Sequence, residues 1–399
     1  MERKNQKTKS VGNGEGSLYY SDSLQKWIYQ YYYNGNRKTI KQKNNEKVKD
    51  FKARVTKVKS EINAGTFLDN CNYTVYSLGL EMLENKLKRN KVSEASYRRE
   101  YYSLLQLKTS NIANIKITKI NYNQIQAFID TKCNYSNSYL SKIFQLLQRI
   151  FNEALKRNYI SKNPMINVEK PKSVQLEKKV EAFSIDEQKK FLEILKNDYY
   201  KNIFTIALYS GMRMGEILAL QLGDIDLKNN EIHICRTLTK NKEDKTILGK
   251  NTKTYNSQRT IPITPLFKSE LTDSIKNMKL NINNLIFTQP NGNYYTVSGM
   301  NSIFNRICTN ANLSVKPYEI KRKKNNETII INSKRSTYNQ HMLRHTYATR
   351  MIESGVPAEV LQKLLGHKNI EITINTYTTI FDKYKNEQVD KYVNYINNL

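Results

Sequence analysis

Apolar residues change their spacing along the chain, and each change marks a different kind of element. Between residues 17 and 40 the period is two. Trp27, Tyr29, Tyr31 and Tyr33 alternate with Ile28, Gln30 and Tyr32, which is the periodicity of a strand. Asn34-Gly35 follows. Both central positions of a tight hairpin need positive φ, and this dipeptide supplies it at low cost. The returning strand is predicted from about Asn36 to Ile40. Val48, Phe51, Val55, Val58 and Ile62 then recur at spacings of three and four. That is one apolar stripe on a helix, with lysines on the other faces. Together these predict a small three-stranded sheet plus one helix, ending near Asn63-Ala64-Gly65 and preceded by a flexible polar lead over 1–16.

Residues 66–172 keep the helical period throughout. Leu80, Leu83 and Leu87 mark one helix; Tyr97, Tyr101, Leu104 and Leu105 a second; Ile125, Phe128 and Ile129 a third. The longest of this region carries Leu140, Ile143, Leu146, Leu147, Ile150, Phe151 and Leu155, and it is predicted to stop before Asn163-Pro164. A charged, proline-bearing stretch beginning at Glu169-Lys170-Pro171 reads as a linker. Ser184 with Glu187 three residues on forms a capping-box signature that opens the next helix. The predicted organisation is therefore 1–65 as a first module, 66–172 as a helical bundle, 173–182 as linker and 183–399 as the last domain. The fold class is mixed, mainly α with small β elements.

Composition narrows the partner. The chain has 399 residues with 65 Lys plus Arg and 36 Asp plus Glu, a formal charge of +29. Residues 1–180 carry 34 basic and 15 acidic residues, so the excess is spread over modules and not confined to one tail. Such a balance points to a polyanion, most naturally nucleic acid. Part of it reflects a Lys-, Asn-, Ile- and Tyr-rich composition of the kind an AT-rich genome encodes. No apolar run reaches the length of a membrane span, and Met1-Glu2-Arg3-Lys4 opens no secretory signal. Cys71, Cys133, Cys235 and Cys308 lie far apart, with neither zinc spacing nor a disulfide framework. These features predict a reducing cytoplasm and no membrane.

The chemistry-bearing residues sit in the last domain. Gly249-Lys250-Asn251 lacks the residues of a phosphate loop, so ATP is not expected. His341 and His345 are four apart, but Met342 stands where a zinc protease has its Glu. No metal or cofactor is predicted. Three segments stand out: Tyr209-Ser210-Gly211-Met212-Arg213-Met214-Gly215-Glu216, His341-Met342-Leu343-Arg344-His345, and Leu365-Gly366-His367 with Tyr377 ten residues on. Arginine offers a fixed planar fork matched to phosphate oxygens. Histidine can move protons near neutral pH. A tyrosine hydroxyl that attacks a phosphodiester exchanges one ester for another, so rejoining needs no external energy.

At these residues the sequence resembles the tyrosine recombinase family, the integrases of phages and integrative conjugative elements. The family's catalytic pattern maps in order onto Arg213, Lys253, His341, Arg344, His367 and the nucleophile Tyr377, with Glu216 as a supporting acid beside the first arginine. Lys253 is singled out among the neighbouring lysines because it precedes Arg259-Thr260-Ile261-Pro262 at the family's offset. The resemblance implies that Lys253 protonates the departing 5′-hydroxyl. A phosphate-contacting hairpin lysine is the plainer alternative. His345 reads as packing beside the site, and His233 as a structural strand residue. The resemblance further implies an arm-type DNA-binding domain at 1–65, a helical core-binding domain at 66–172 and an α+β catalytic domain at 183–399. It implies double-stranded DNA attachment sites, core and arm, as substrate, a homotetramer on DNA, and excisionase and a host DNA-bending protein as accessory partners in a bacterial, nucleoid-associated setting. The expected activity is site-specific integration and excision of a mobile element through a 3′-phosphotyrosyl intermediate. The alternatives are a catalytically silent DNA-binding regulator on the same scaffold and a type IB topoisomerase. Tyr318 to Asn339, with Lys321-Arg322-Lys323-Lys324, reads as an added strand pair without an assigned role. Val389, Tyr392, Val393 and Ile396 predict a helical tail.

Overall fold

The computed structural model describes residues 16–33, 35–64, 67–68, 71–174, 182–249, 258–324 and 327–398. It divides into two compact units, Met1–Val92 with Arg99–Glu177, and Lys178–Leu399 with Ser93–Arg98. Helices dominate and the sheets are small and antiparallel, which is the class the sequence pattern predicts.

The first unit opens with β1 (Ser17–Ser21), β2 (Lys26–Tyr33) and β3 (Asn36–Lys41), paired in the order β1-β2-β3. The period-two pattern has a simple cause. Tyr29 and Tyr31 are buried against Phe51 and Val55 of α1 (Val48–Asn63), whereas Tyr32 is 68% exposed on the opposite face. On that open face Tyr32 pairs with the exposed Arg37, and the exposed Lys41 lies opposite Ile28, which is itself buried. Four helices follow: α2 (Val75–Lys88), α3 (Glu94–Lys108), α4 (Tyr122–Asp130) and α5 (Asn137–Lys156). Val75, Leu78, Leu104, Ile125, Leu147 and Phe151 share one core. The stripe on α5 ends sooner than predicted. Asn158 adopts φ 56°, and the Tyr159 amide turns back to the Ala154 carbonyl, so the helix stops at Lys156 and Leu155 is exposed. Asn163 instead holds the following turn, accepting from the Met165 amide at 2.8 Å.

The second unit begins with α6 (Ile185–Leu195), capped as predicted: the Ser184 hydroxyl accepts from the Glu187 amide, and the Glu187 carboxylate accepts from the Ser184 amide at 2.9 Å. Next come α7 (Lys201–Ser210), α8 (Met214–Ile217), β4 (Ile225–Asp226), β5 (Glu231–Ile234), β6 (Leu238–Lys240), β7 (Thr246–Leu248) and β8 (Arg259–Pro262). Strands β4, β5 and β8 form one sheet, and β6 pairs with β7. His233 lies on β5, its Nδ1 3.0 Å from the Thr260 hydroxyl, the structural place expected for it. The chain continues through α9 (Pro265–Lys276) and α10 (Val297–Asn310) into β9 (Val315–Lys324) and β10 (Glu327–Ser336), a paired ribbon. This is the strand pair read from the sequence. Asn305 of α10 anchors its base by donating to the carbonyls of Ser336 and Tyr338 at 3.0 and 2.6 Å. Last are α11 (His341–Glu353), α12 (Ala358–Leu365) and α13 (Ile370–Asn397). Phe183, Phe191, Phe204, Phe267, Phe304 and Leu343 fill the core between them. On the tail of α13, Val389, Tyr392, Val393 and Ile396 are exposed.

One position fixes how α7 hands over to the site. Gly211 ends α7 in the left-handed region at φ 64°, and a Cβ there would lie 2.3 Å from Cδ1 of Tyr347 on α11. Gly211→Ala therefore combines a backbone penalty of about 1–2 kcal/mol with a steric clash of similar size. We expect a loss of at least ~2 kcal/mol in chemical denaturation; an unchanged midpoint would contradict this packing.

Candidate active site

The turn that Gly211 permits sets Arg213 at the start of α8. The Arg213 amide donates to Glu216 Oε2 and its Nη1 to Glu216 Oε1, both at 2.9 Å. Glu216 is 3% exposed. From β8, Arg259 closes on the same carboxylate with a two-pronged contact, Nη1 to Oε1 at 3.1 Å and Nη2 to Oε2 at 2.8 Å. Burial alone would raise the Glu216 carboxyl, but Arg259 and Arg213 outweigh it and hold it down to about 2.

Three arginines also meet the end of α12. A helix terminus leaves its last carbonyls without partners and carries partial negative charge. Arg259 Nε donates to the Leu364 carbonyl at 2.7 Å, Arg344 Nη2 to Leu365 at 2.6 Å, and Arg213 Nη2 reaches Gly366 at 3.5 Å. Arg344 is buried and also donates from Nη1 to the Gly211 carbonyl at 2.7 Å. These bonds tie α7, α8, α11, α12 and β8 into one frame. Gly366 ends α12 at φ 66°, where a Cβ would lie 3.0 Å from Cδ of Arg259. That turn delivers His367, whose Nδ1 lies 2.9 Å from the Thr373 hydroxyl.

His341 and Arg344 are three apart on α11, so they share a face. His341 opens the helix at the surface, its amide bonded to Asn339 Oδ1 at 3.0 Å. Partial desolvation first, then Arg344 and Arg213, lower its imidazole. His367 is lowered to about 4 by burial, Arg344, Arg213 and Arg259. Tyr377 is 1% exposed. Burial raises its phenol to about 12, with Arg344 opposing. It sits where α13 breaks from helical geometry, at φ −119° and ψ 18°. Its hydroxyl lies 2.9 Å from His345 Nδ1.

The structure thus brings Arg213, Glu216, His341, Arg344, His367 and Tyr377 into one neighbourhood. Lys253 lies outside the described residues. Two residues carry more than the sequence reading gave them. Arg259 entered that reading as a strand marker; its burial and its grip on Glu216 make it part of the frame. His345 was read as packing, yet it contacts the tyrosine hydroxyl. A signal for Arg259 existed: a charged residue in a short apolar strand needs a buried partner. Chemically, the pocket holds three guanidinium groups and one carboxylate. Among the described residues no carboxylate pairs with Arg344. A buried cation without its own anion leaves the site short of negative charge, and a phosphate would supply it.

Comparison with known proteins decides the family. The phage integrase family profile matches residues 181–383. The chain belongs to the phage integrase family. Similar relatives include a tyrosine recombinase XerC-like protein of Caldanaerobacter subterraneus, 28% identical over 76% of this chain and 78% of the relative. The integrase of Staphylococcus phage L54a is 26% identical over 84% of this chain and 97% of its own length. The ICEBs1 integrase of Bacillus subtilis is 25% identical over 69% and 71%. Among solved structures, the Tn1549 transposon integrase in complex with a circular intermediate DNA superposes with a TM-score of 0.63 at 20% identity, over 79% of this chain and 99% of that one. A lambda integrase tetramer bound to a Holliday junction gives 0.55 at 15% identity, over 90% and 97%. At these identities the superpositions show the shared fold. This family member is a tyrosine-type site-specific DNA recombinase, an enzyme that cuts and rejoins DNA. Among its described residues no helix is long and apolar enough to cross a membrane.

Removing the carboxylate should expose the strain it relieves. Glu216→Gln leaves Arg259 buried and uncompensated, and we expect a loss of about 3–5 kcal/mol in denaturant unfolding. The histidines add a pH dependence whose sign is fixed. His345 is lowered to about 4 by burial, His341 and Arg344. Folded His345 and His367 titrate near 4 against an ordinary 6.5. The folded state binds fewer protons between these values, so stability present above pH 6.5 is lost as pH falls toward 4. Glu216 acts in the same direction lower down, its contribution present above pH 4.5 and lost as pH falls through about 2. Melting temperature should therefore decline steadily from about pH 7 to pH 4.5; a flat profile would rule this out.

Proposed function

We propose that Tyr377 is the nucleophile of this recombinase and that Arg213 and Arg344 hold the phosphate it attacks. The observation that carries the reading is the pocket's charge imbalance: three guanidiniums converge beside a buried tyrosine, and one carboxylate, Glu216, answers two of them. In the proposed step the Tyr377 oxygen forms a bond to phosphorus while the bond to the 5′-oxygen breaks. The phenolic proton leaves to a base, and Lys253 supplies a proton to the departing oxygen. Arg213 and Arg344 stabilise charge that grows on the non-bridging oxygens. His367, kept neutral by burial and by the arginines, contributes a donor N–H without adding a titrating charge, and His341, lowered by partial desolvation and by Arg344 and Arg213, contributes a second. The 3′-phosphotyrosyl ester conserves the bond energy. A 5′-hydroxyl from a partner strand reverses the step, so no nucleotide is consumed.

The wider assignments follow the same reading. The open face of the N-terminal sheet, with Tyr32, Arg37 and Lys41, is proposed to bind arm-type DNA sites, and the bundle of α2 to α5 to bind the core site. The domain limits 1–65, 66–172 and 183–399 are retained as part of the proposal. A homotetramer on DNA is proposed, with the exposed apolar residues on the α13 tail docking on a neighbouring copy. Integration and excision of a mobile element, with excisionase and a host DNA-bending protein as helpers, is the proposed cytoplasmic, nucleoid-associated role.

Two variants test the chemistry. Tyr377→Phe should bind DNA as the parent does and form no covalent adduct on a nicked suicide substrate. An adduct that persists would overturn the assignment. Lys253→Ala should cleave an ordinary substrate at least ~10²-fold more slowly. It should recover on a substrate whose departing 5′-oxygen is replaced by sulfur, which leaves without a proton. Failure to recover would remove Lys253 as the acid.

A further inference from the structure

The phosphate-binding reading makes no use of His345, although His345 touches the nucleophile. Its Nδ1 lies 2.9 Å from the Tyr377 oxygen. The two rings meet edge to face, with centroids 5.9 Å apart and planes at 61°. Tyr377 packs with the apolar residues Ala348, Ile352, Leu361 and Leu365, and the buried Arg344 lies near enough to oppose the rise of its phenol. Among the described residues, then, His345 is the polar group in hydrogen-bond contact with the hydroxyl. The protonation states allow the phenol to be the donor. Burial raises the phenol to about 12, while burial, His341 and Arg344 lower the imidazole to about 4. At neutral pH both groups are neutral, and in the tautomer with its hydrogen on Nε2 the His345 Nδ1 accepts from the tyrosine hydroxyl.

Backbone geometry explains why such a partner is needed. Tyr377 occupies the non-helical break in α13, so the helix does not by itself fix where its side chain points. His345 stands on the other side of that problem. It is the residue after Arg344, whose guanidinium is clamped between the Gly211 and Leu365 carbonyls. An arginine that holds the phosphate and a histidine that holds the nucleophile thus sit next to each other on one rigid helix, α11. The spacing between phosphate and phenol oxygen is set by a single element instead of by two that move independently.

We propose that His345 is a positioning residue for the nucleophile, whose imidazole receives the Tyr377 hydroxyl hydrogen bond and sets the direction of the phenol oxygen relative to the arginine-bound phosphate. This rests on the assignment of Tyr377 as nucleophile. Positional errors of about 1 Å in such a group cost on the order of 10²-fold in rate.

The test uses the full chain with a nicked suicide DNA substrate and four variants: His345→Ala, His345→Asn, His345→Leu and Tyr377→Phe. Asn is chosen because its side-chain oxygen can take the place of Nδ1 as acceptor. Each variant is checked first for DNA affinity by equilibrium binding, then for single-turnover adduct formation with saturating enzyme. His345→Ala should bind DNA with unchanged affinity and form the adduct about 10²-fold more slowly. His345→Asn should recover most of that loss. A purely packing role predicts equal or better recovery in His345→Leu, which fills the imidazole's space but offers no acceptor, and recovery in Leu equal to that in Asn would overturn the proposal. Equal defects in Ala and Asn, a parental rate in Ala, or faster cleavage in Ala would each overturn the proposal. Peptide mapping of the parental adduct separates the two levels. An adduct on a tyrosine other than Tyr377 defeats the nucleophile assignment itself. An adduct on Tyr377 with no Ala-to-Asn difference defeats the role of His345 alone.

Discussion

Glu216 stands between two guanidinium groups, and the geometry around it determines most of what the second unit can do. Its carboxylate binds Arg213 on one side and Arg259 on the other. Those arginines, with Arg344, hold the last carbonyls of α12. A buried, doubly bridged carboxylate of this kind is costly to assemble and more costly to break. It earns its place by rigidity: α8 and β8 close on one acid, and the arginines they carry reach on to the end of α12. The close approach depends on two left-handed glycines, Gly211 and Gly366, which end α7 and α12 where a side chain would collide with Tyr347 or Arg259. Backbone and charge therefore support the same arrangement.

The excess of positive charge that makes the frame receptive to a phosphate also governs its histidines. Arg344 and Arg213 both lower His341 and His367, adding to the effect of burial. Imidazoles that would otherwise be partly charged near neutral pH stay neutral. A neutral imidazole can donate from one nitrogen and accept at the other, which an imidazolium cannot. His367 meets the Thr373 hydroxyl through Nδ1, and His345 meets Tyr377 in the same way. Burial first, and the field of the arginines with it, thus keep the histidines in the form able to hand hydrogen bonds around the site. The same field weighs against stability, because buried cations are held without a full set of anions.

Much of the fold was legible in local patterns, and the reason is that those elements obey local rules. The Tyr29 and Tyr31 alternation, the α1 stripe and the Ser184–Glu187 box each depend on neighbours within a few residues. The end of α5 was not legible. Asn163-Pro164 is the stronger stop signal on paper, but Asn158 can take positive φ at little cost, and the chain uses the earlier exit. At the site, Arg213, Arg344, His367 and Tyr377 announced themselves through ordered motifs. Arg259 did not, because its role depends on Glu216, 43 residues away in sequence. His345 was visible as a residue but not as a contact. Its partner lies 32 residues on, past two helix ends whose geometry no spacing rule supplies.

Net charge and site charge make different demands on the same residue types. The +29 of the chain is spread widely and carried largely by lysine, a flexible and strongly hydrated cation suited to salt-sensitive attraction along a polyanion. The frame around Glu216 uses arginine at all three positions, each with part of its fork held by fixed carbonyl or carboxylate partners. A lysine at Arg259 could not bridge both oxygens of Glu216 and the Leu364 carbonyl together, since it presents one nitrogen where the fork presents three. Solvated charge brings DNA to the surface at a strength that salt can tune. Buried charge, held by geometry and shielded from salt, has to be in place before the DNA arrives. That division explains why the cations that hold the frame are arginines while most of the chain's charge is carried by lysine.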